Sequence, residues 1–550
     1  MTRRLLTLLG LAAVPVAFLT VFFVVPVSGM VGRGFVVDGH LDLAGVGEVL
    51  ARERVHRVAW FTVWSSTVAT VLSVLLGLPA AYALHRLDLV GRRLVRALLL
   101  VPFVLPTVVV GVAFRHLLGD GGWLGFLGLD QSAAAIVAGL TFFNVSVVIR
   151  MVGSAWESLD PRPGEAAAAL GANGWQVLGT VTWPALRPAI VGAASVVFLF
   201  CATSFGVVLT LGGLRYATIE TEIYLLTTTV FDLRAAAALS VVQLAVVVLL
   251  LAVSARLRVT GDPTVSRVVA RARPVRRRDA AAVAFTLLLL VALMTPLVTL
   301  VEGSLRVDGQ WSLGNYRALS QVGGGGPAHS QALLVPVTSA LVSSLRIALD
   351  ATWLALVLGL LVAAVVTRRS RSVAERRLRS LLDGFFMLPL GVSAVTLGFG
   401  FLITLDSPPL DLRNSPVLVP VAQALVALPL VVRTLTPVLA GIDDRQRQAA
   451  ASLGAPPWRT AVTVDLPAVW KPMLAAAGFA FAASLGEFGA TAFLVRDDAP
   501  TLPVVIFRLL GHPGPHNYGM ALAASVVLAA TTALVMVAVE RLRVPSLGVW

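Results

Sequence analysis

Lysine is almost missing from this chain: of 43 basic residues only Lys471 is a lysine. A phosphate-cradling loop of the form GxxxxGK[ST] needs a lysine directly after a glycine. Lys471 stands between Trp470 and Pro472, so the chain carries no ATP-binding loop of that kind. Cysteine is equally scarce. Cys201 stands alone in an apolar run, which excludes a disulfide framework and a cysteine metal site. The seven histidines lack metal-ligand spacing except for His512 with His516. These two sit in a GHPGPHNYG stretch broken by two prolines and read as loop polarity. No metal, catalytic residue or cofactor of its own is therefore expected of this chain, and no nucleophile–base pair marks it as an enzyme.

Charge is the third shortage. Only 13% of residues are charged, against about 25% in an ordinary soluble domain. Hydrophobic residues make up 57% of the 550, and the mean hydropathy is +0.87. One membrane-spanning helix takes roughly 20 apolar residues, so the composition accommodates on the order of 12 spans and leaves no room for a large soluble domain. The net charge of +14 would suggest nucleic acid in a soluble protein. In a membrane protein such charge collects in cytoplasmic loops, and no nucleic-acid partner is expected.

Apolar runs of spanning length lie at Leu5 to Val27, Val58 to Leu84, Leu94 to Leu117, Ala133 to Val152, Ala189 to Leu211 and Ala235 to Val253. Six more lie at Ala280 to Val301, Val337 to Val366, Leu378 to Leu405, Val417 to Leu439, Met473 to Val495 and Met520 to Val539. The first comes after Met1-Thr-Arg-Arg, is longer than the apolar core of a signal peptide and has no A-x-A site after it, so it reads as a retained helix. Arginine sets the polarity. His85 to Arg96 holds four arginines, Arg256 to Asp279 eight and Thr367 to Ser380 six, whereas Arg115 to Gln131, Gly212 to Arg234 and Asp406 to Asn414 hold one or two. The rich segments belong inside, which puts both termini, with Arg541 and Arg543, in the cytoplasm.

The sequence is also written twice. Pro106 and Pro389, Gly171 and Gly454, Pro184 and Pro467, Phe205-Gly206 and Phe488-Gly489, and Thr218 and Thr501 recur at an offset of 283, with Gly77 and Gly359 at 282. An even number of helices per copy makes the copies parallel, related by an axis along the membrane normal. The expectation is an all-α polytopic membrane protein of about 12 transmembrane helices in two six-helix repeats. Residues 1–258 form the first half, 259–279 an Arg-rich cytoplasmic linker near anionic lipid, and 280–550 the second half.

Each copy holds one cytoplasmic segment longer than a tight turn, between its fourth and fifth helices. The first reads Glu165-AAAAL-Gly171-ANGW-QVLGTVTW-Pro184, the second Gln448-AAASL-Gly454-APPW-RTAVTVDL-Pro467. An Ala/Leu helix, a glycine suited to a left-handed C-terminal position, a breaker pair, a short second helix and a proline that prevents its continuation predict a helical hairpin across the chain direction.

These segments resemble the EAA loop of permease subunits of ATP-binding-cassette importers, EAAxxxG with a proline 13 residues after the glycine. Glu165, Ala166, Ala167, Gly171 and Pro184 match it; in the second copy Gln448 replaces the glutamate while Ala449, Ala450, Gly454 and Pro467 remain. The resemblance implies a type I importer permease in the cell (inner) membrane. It implies two copies of a separate ATPase subunit that bind ATP and Mg and grip the hairpins, together with an external substrate-binding protein. Leu209-TLGG, Thr218-IETEIY, Ser344-LRIAL-Asp350 and Ser484-LGEFGA with Asp497-Asp498-APTLP resemble the thiamine and ferric iron permeases, leaving either solute as substrate. An ion-coupled secondary transporter with two six-helix repeats is the alternative, and it leaves the hairpins without purpose.

Two further groups are candidate sites. Glu487 interrupts an apolar helix, and an acid there is costly enough to suggest function; with Phe488, and Ser204 and Phe205 of the other copy, it is expected either to line the pathway or to cap a broken helix. Glu220, Glu222, Asp497 and Asp498 flank the Thr218 and Thr501 segments and are expected to steer the binding protein.

Overall fold

The computed structural model describes residues 2–213, 215–257, 272–321, 333, 335–367, 372–406, 411–413 and 415–542. Linker positions 259–271, Arg543, and Arg368, Arg369 and Arg371 of the Thr367 to Ser380 loop lie outside them. Among the described residues the fold is helical apart from three pairs of two-residue strands. Ten helices among the described residues are long and apolar enough to cross a membrane: Gly10–Phe35, Glu53–Arg86, Ala133–Glu157, Gly174–Ala202, Leu233–Ala252, Ala280–Ser304, Val337–Thr367, Leu418–Ala440, Trp458–Leu485 and Pro515–Val539.

Of the twelve expected spans, Ala189 to Leu211 and Met473 to Val495 stop early as spanning helices, at Ala202 and Leu485, and two more are broken outright. Arg92–Val104 and Thr107–Leu118 meet at 101°. Pro106 disfavours helical geometry at Leu105, and Leu105 is extended. In the second half, Val373–Phe386 is followed by a 3-10 turn at Leu388–Gly391 and then by Ala394–Thr404. Hydropathy registers apolar content but not the break, which is why both read as single spans.

The described chain forms two compact units that cut across the sequence halves. One comprises residues 1–49, 223–244 and 313–550, the other 50–222 and 245–312. In the first unit the N-terminal helix packs among second-half helices: a Cβ at Gly29 would collide with the Thr404 methyl, and Gly400 abuts Pro26 and Met30. In the other, Ala280–Ser304, the first helix of the second half, packs on Glu53–Arg86 and Thr107–Leu118, with Gly303 against the His116 ring. Small residues at these crossings let the helices approach closely, the mode that drives association in lipid.

The duplication is visible in individual contacts. Gly77 lies under Val148 and Gly359 under Val431, where an added Cβ would meet a methyl at 2.7 and 2.5 Å. The amide of Ile219 donates to Thr62 Oγ1 at 3.0 Å, and that of Leu502 to Ser344 Oγ at 2.7 Å. Each bond satisfies an otherwise orphan amide at the start of a short helix, Ile219–Leu225 or Leu502–Gly511. The described end of the linker is fastened within its own unit. Leu87–Asp88 pairs in parallel with Arg273–Pro274, and Asp279 takes bonds from both Arg273 nitrogens (2.7 and 2.8 Å) and from the Tyr82 hydroxyl (2.8 Å).

Candidate functional site

The first hairpin opens with Arg162–Ala169, whose leading Arg162 amide donates to Asp160 Oδ1 at 3.0 Å. The helix ends in a Schellman turn, in which Ala172 donates to the Ala167 carbonyl and Gly171 to that of Ala168. Gly171 has φ +94°, in the left-handed region where a Cβ is penalised. Asn173 and Gln176 then close a reciprocal capping box that starts the next helix. The second hairpin repeats this chemistry. Arg445 donates to Asp443 Oδ1 at 2.9 Å, Asp444–Ser452 is the helix, Ala455 donates to Ala450 and Gly454 to Ala451, and Gly454 has φ +80°. Here Arg447 adds a brace, reaching Asp444 at 3.2 Å and Asp465 at 2.8 Å.

Exposure repeats as well. Glu165, Ala166, Gly171 and Pro184 are exposed and Ala167 half-buried; Gln448, Ala449, Gly454 and Pro467 are exposed and Ala450 half-buried. Sequence reasoning missed four neighbours that the structure singles out. Leu170 and Leu453 are 89% and 88% exposed, and Trp175 and Trp458 82% and 69%. Both pairs obey the 283 offset, and that was their available signal.

One expectation about the hairpins is corrected. Pro184 and Pro467 do not end a short second helix; the helix runs on as Gly174–Ala202 in one copy and Trp458–Leu485 in the other. A proline has no N–H for the carbonyl four residues back. In both copies a π turn, Leu178–Thr182 or Ala461–Asp465, absorbs the defect, with Trp183 donating to Leu178 and Leu466 to Ala461, five residues back.

The four acids expected to steer a partner divide. Glu220 and Glu222 are 0% and 2% exposed, so neither presents charge at the surface. Glu222 is held bidentate by Arg54 at 2.5 and 2.8 Å. The Thr62 bond to Ile219 draws this segment in against the Glu53–Arg86 helix, which the spacing of acids along the chain does not report. Asp497 and Asp498 are exposed and paired with Arg508 (2.7 Å) and Arg496 (2.5 Å). With Arg413, Phe401 and Phe493 they line a cleft of about 490 Å³.

Glu487 is buried, and its carboxylate accepts from the amides of Ala490 (2.7 Å) and Thr491 (3.1 Å). It thus caps the break after Trp458–Leu485. Phe488 is buried against Phe507, Phe205 is buried, and Ser204 is half-buried in the other unit.

A duplicated bundle carrying two matched hairpins defines a transport permease, and the chain belongs to the family of binding-protein-dependent transport system inner membrane components, which matches it twice, over residues 69–260 and 332–543. It is a multi-pass inner-membrane transport subunit rather than an enzyme. It is 30% identical over 468 residues to the thiamine transport system permease protein ThiP of Brucella abortus (strain 2308), covering 83% of this chain and 82% of that one. The thiamine permease ThiP of Escherichia coli K12 is 29% identical over 465 residues, 82% of this chain and 83% of its own. A probable ABC transporter permease protein, y4fN of Sinorhizobium fredii, is 26% identical over 580 residues, 98% and 96% of the two chains. Ferric iron, expected on equal terms with thiamine, gains no support from these relatives.

Proposed function

We propose that this chain is the permease of an ATP-driven importer for thiamine, which an external binding protein delivers. ATP and Mg bind two copies of a separate ATPase subunit, each gripping one hairpin, and both termini of the permease lie on that cytoplasmic side. The observation that carries the reading is the pair of bare apolar side chains on each hairpin, Leu170 with Trp175 and Leu453 with Trp458, on backbones held by the same caps. Large apolar groups left uncovered beside polar turns mark a protein contact. Thiamine as the solute rests on the identity to ThiP over four-fifths of both chains.

Closure of the two ATPase subunits would move the hairpins, and each hairpin is continuous with a spanning helix through its π turn, so movement at the surface passes directly into the bundle. Ser204, Phe205, Glu487 and Phe488 are proposed to stand along the route, with Glu487 fixing the break that shapes it. Asp497 and Asp498, the exposed pair, are proposed to meet the binding protein. The test is uptake of labelled thiamine into proteoliposomes that hold the permease with its ATPase and binding protein. Uptake should require internal ATP and survive ionophores; uptake that tracks an ion gradient without ATP would establish the secondary-transporter reading instead.

A further inference from the structure

The seam between the Glu53–Arg86 and Ala133–Glu157 helices holds an unusual concentration of unbonded polar groups. The helices run parallel, as their successive contacts show: Gly77 on Val148, Tyr82 on Trp156, His85 on Glu157. Ser66, Thr70, Ser73 and Gly77 recur at i, i+4, i+7 and i+11, one face of one helix. One turn toward the N-terminus from the Gly77–Val148 contact, Ser73 comes opposite Thr141 and Asn144. Ser66, Ser73 and Asn144 are 0–1% exposed and Thr141 7%. Ser66 Oγ, Ser73 Oγ, Thr141 Oγ1 and Asn144 Oδ1 have no hydrogen-bond partner among the described residues.

Hydroxyls in helices normally return their proton to the preceding turn, and others on this helix do so: Thr62 to Val58, Ser65 to Phe61, Thr67 to Val63 and Thr70 to Ser66. Ser66 and Ser73 do not. The repeat supplies an independent comparison. At the same offsets the second half has Ala348, Ala355, Ala424 and Ala427, all 0% exposed, while Thr70 is kept as Thr352 with the same bond to the preceding turn. At two neighbouring positions the second half is the more polar: Ser484 stands at the Cys201 position and Gln423 at the Leu140 position, and Ser484 Oγ and Gln423 Oε1 are also buried without a partner among the described residues. The fold therefore tolerates alanine at all four positions, yet the first half carries four unpaired polar groups there. A buried donor or acceptor is expensive unless paired, and ordered water with two to four polar partners is how interiors pair such groups.

We infer that the first half holds internal water bound in this seam between Ser73, Thr141 and Asn144, where the second half has Ala355, Ala424 and Ala427. Cys201 serves as a built-in reporter: it is fully buried, with its Sγ 3.3 Å from Asn144 Nδ2.

Radiolytic hydroxyl-radical labelling of the full-length protein in nanodiscs, read by mass spectrometry, tests this directly, because radicals born in bound water oxidise adjacent sulfur. The expected result has three parts: Cys201 is oxidised in the parent protein, it is inert to a membrane-permeant maleimide, and its oxidation is lost in the Thr141→Ala/Asn144→Ala variant. An unoxidised Cys201 in the parent overturns the inference without any variant. Oxidation undiminished by the double substitution, or ready alkylation showing an open aqueous path, overturns it as well. The single variant Ser73→Ala, expected to reduce the oxidation, provides the comparison should the double variant fold poorly.

Discussion

Replacing Trp175 by alanine removes a side chain that is 82% exposed, and Trp458→Ala one that is 69% exposed. Neither ring has packing in the chain that would make its loss expensive to folding, so stability should change by no more than about 0.5 kcal/mol, as for ordinary surface substitutions. Against an ATPase partner the arithmetic differs. A tryptophan buries about 200 Å² when covered, and four-fifths of that at roughly 25 cal/mol per Å² gives an upper value of about 4 kcal/mol. Alanine retains a small part and docking rarely covers every face, so the loss should be about 2–4 kcal/mol, the size of an interface hot spot. That is a weakening of roughly 30- to 1,000-fold in Kd. Leu170→Ala, removing less area, should cost about 1–2 kcal/mol. The measurement is titration of the detergent-solubilised permease with its ATPase subunit, alongside thermal unfolding of the permease alone. Unchanged affinity in both tryptophan variants would refute the assignment of the hairpins as the docking faces. A loss of affinity that merely tracks a loss of thermal stability would do the same.

Glu165→Ala should lower transport-coupled ATP hydrolysis more than Gln448→Ala, because a carboxylate bonds an arginine more strongly than a carboxamide does; equal losses in the reconstituted complex would count against this asymmetry. Gly171→Ala should fray the hairpin for a backbone reason, since no atom lies within 4 Å of the added Cβ and the whole cost is the positive φ, about 1–2 kcal/mol, seen as faster amide exchange over residues 162–177. Gly77→Ala should instead destabilise the bundle by overpacking against Val148 at 2.7 Å, roughly 1–3 kcal/mol, read as a lower Tm. Hydrogen bonds from Arg273, assisted by the Arg276 amide, hold the Asp279 carboxyl well below its ordinary range. Its stabilising contribution is then complete above the ordinary carboxylate pKa and lost only as pH falls below it, so Asp279→Asn should lower Tm by the same amount at pH 6 and pH 8.

Much of this protein is periodic, and periodicity is legible in a sequence. The helical class, the repeat and both hairpins emerge from hydropathy, a constant offset, and glycines placed where a helix must turn back. The bend at Leu105-Pro106 and the break before Ala394 were hidden because hydropathy sums composition along a run and does not register a change of direction. The continuation through Pro184 and Pro467 was hidden for a related reason. A proline announces a missing donor, but whether the helix stops or widens into a π turn depends on the residues beyond it and on the helices they pack against.

Composition and spacing alone determined that the chain spans a membrane, that it is built twice, and that each copy presents a capped hairpin, because these depend on local bonding and on burial averaged along the chain. The tertiary structure alone decided that the first helix of each half packs among helices of the other, that Glu220 and Glu222 lie inside while Asp497 and Asp498 stay outside, and that Leu170, Trp175, Leu453 and Trp458 stand bare. Those outcomes turn on which surfaces meet across hundreds of residues, and a side chain's exposure belongs to that meeting rather than to the residue.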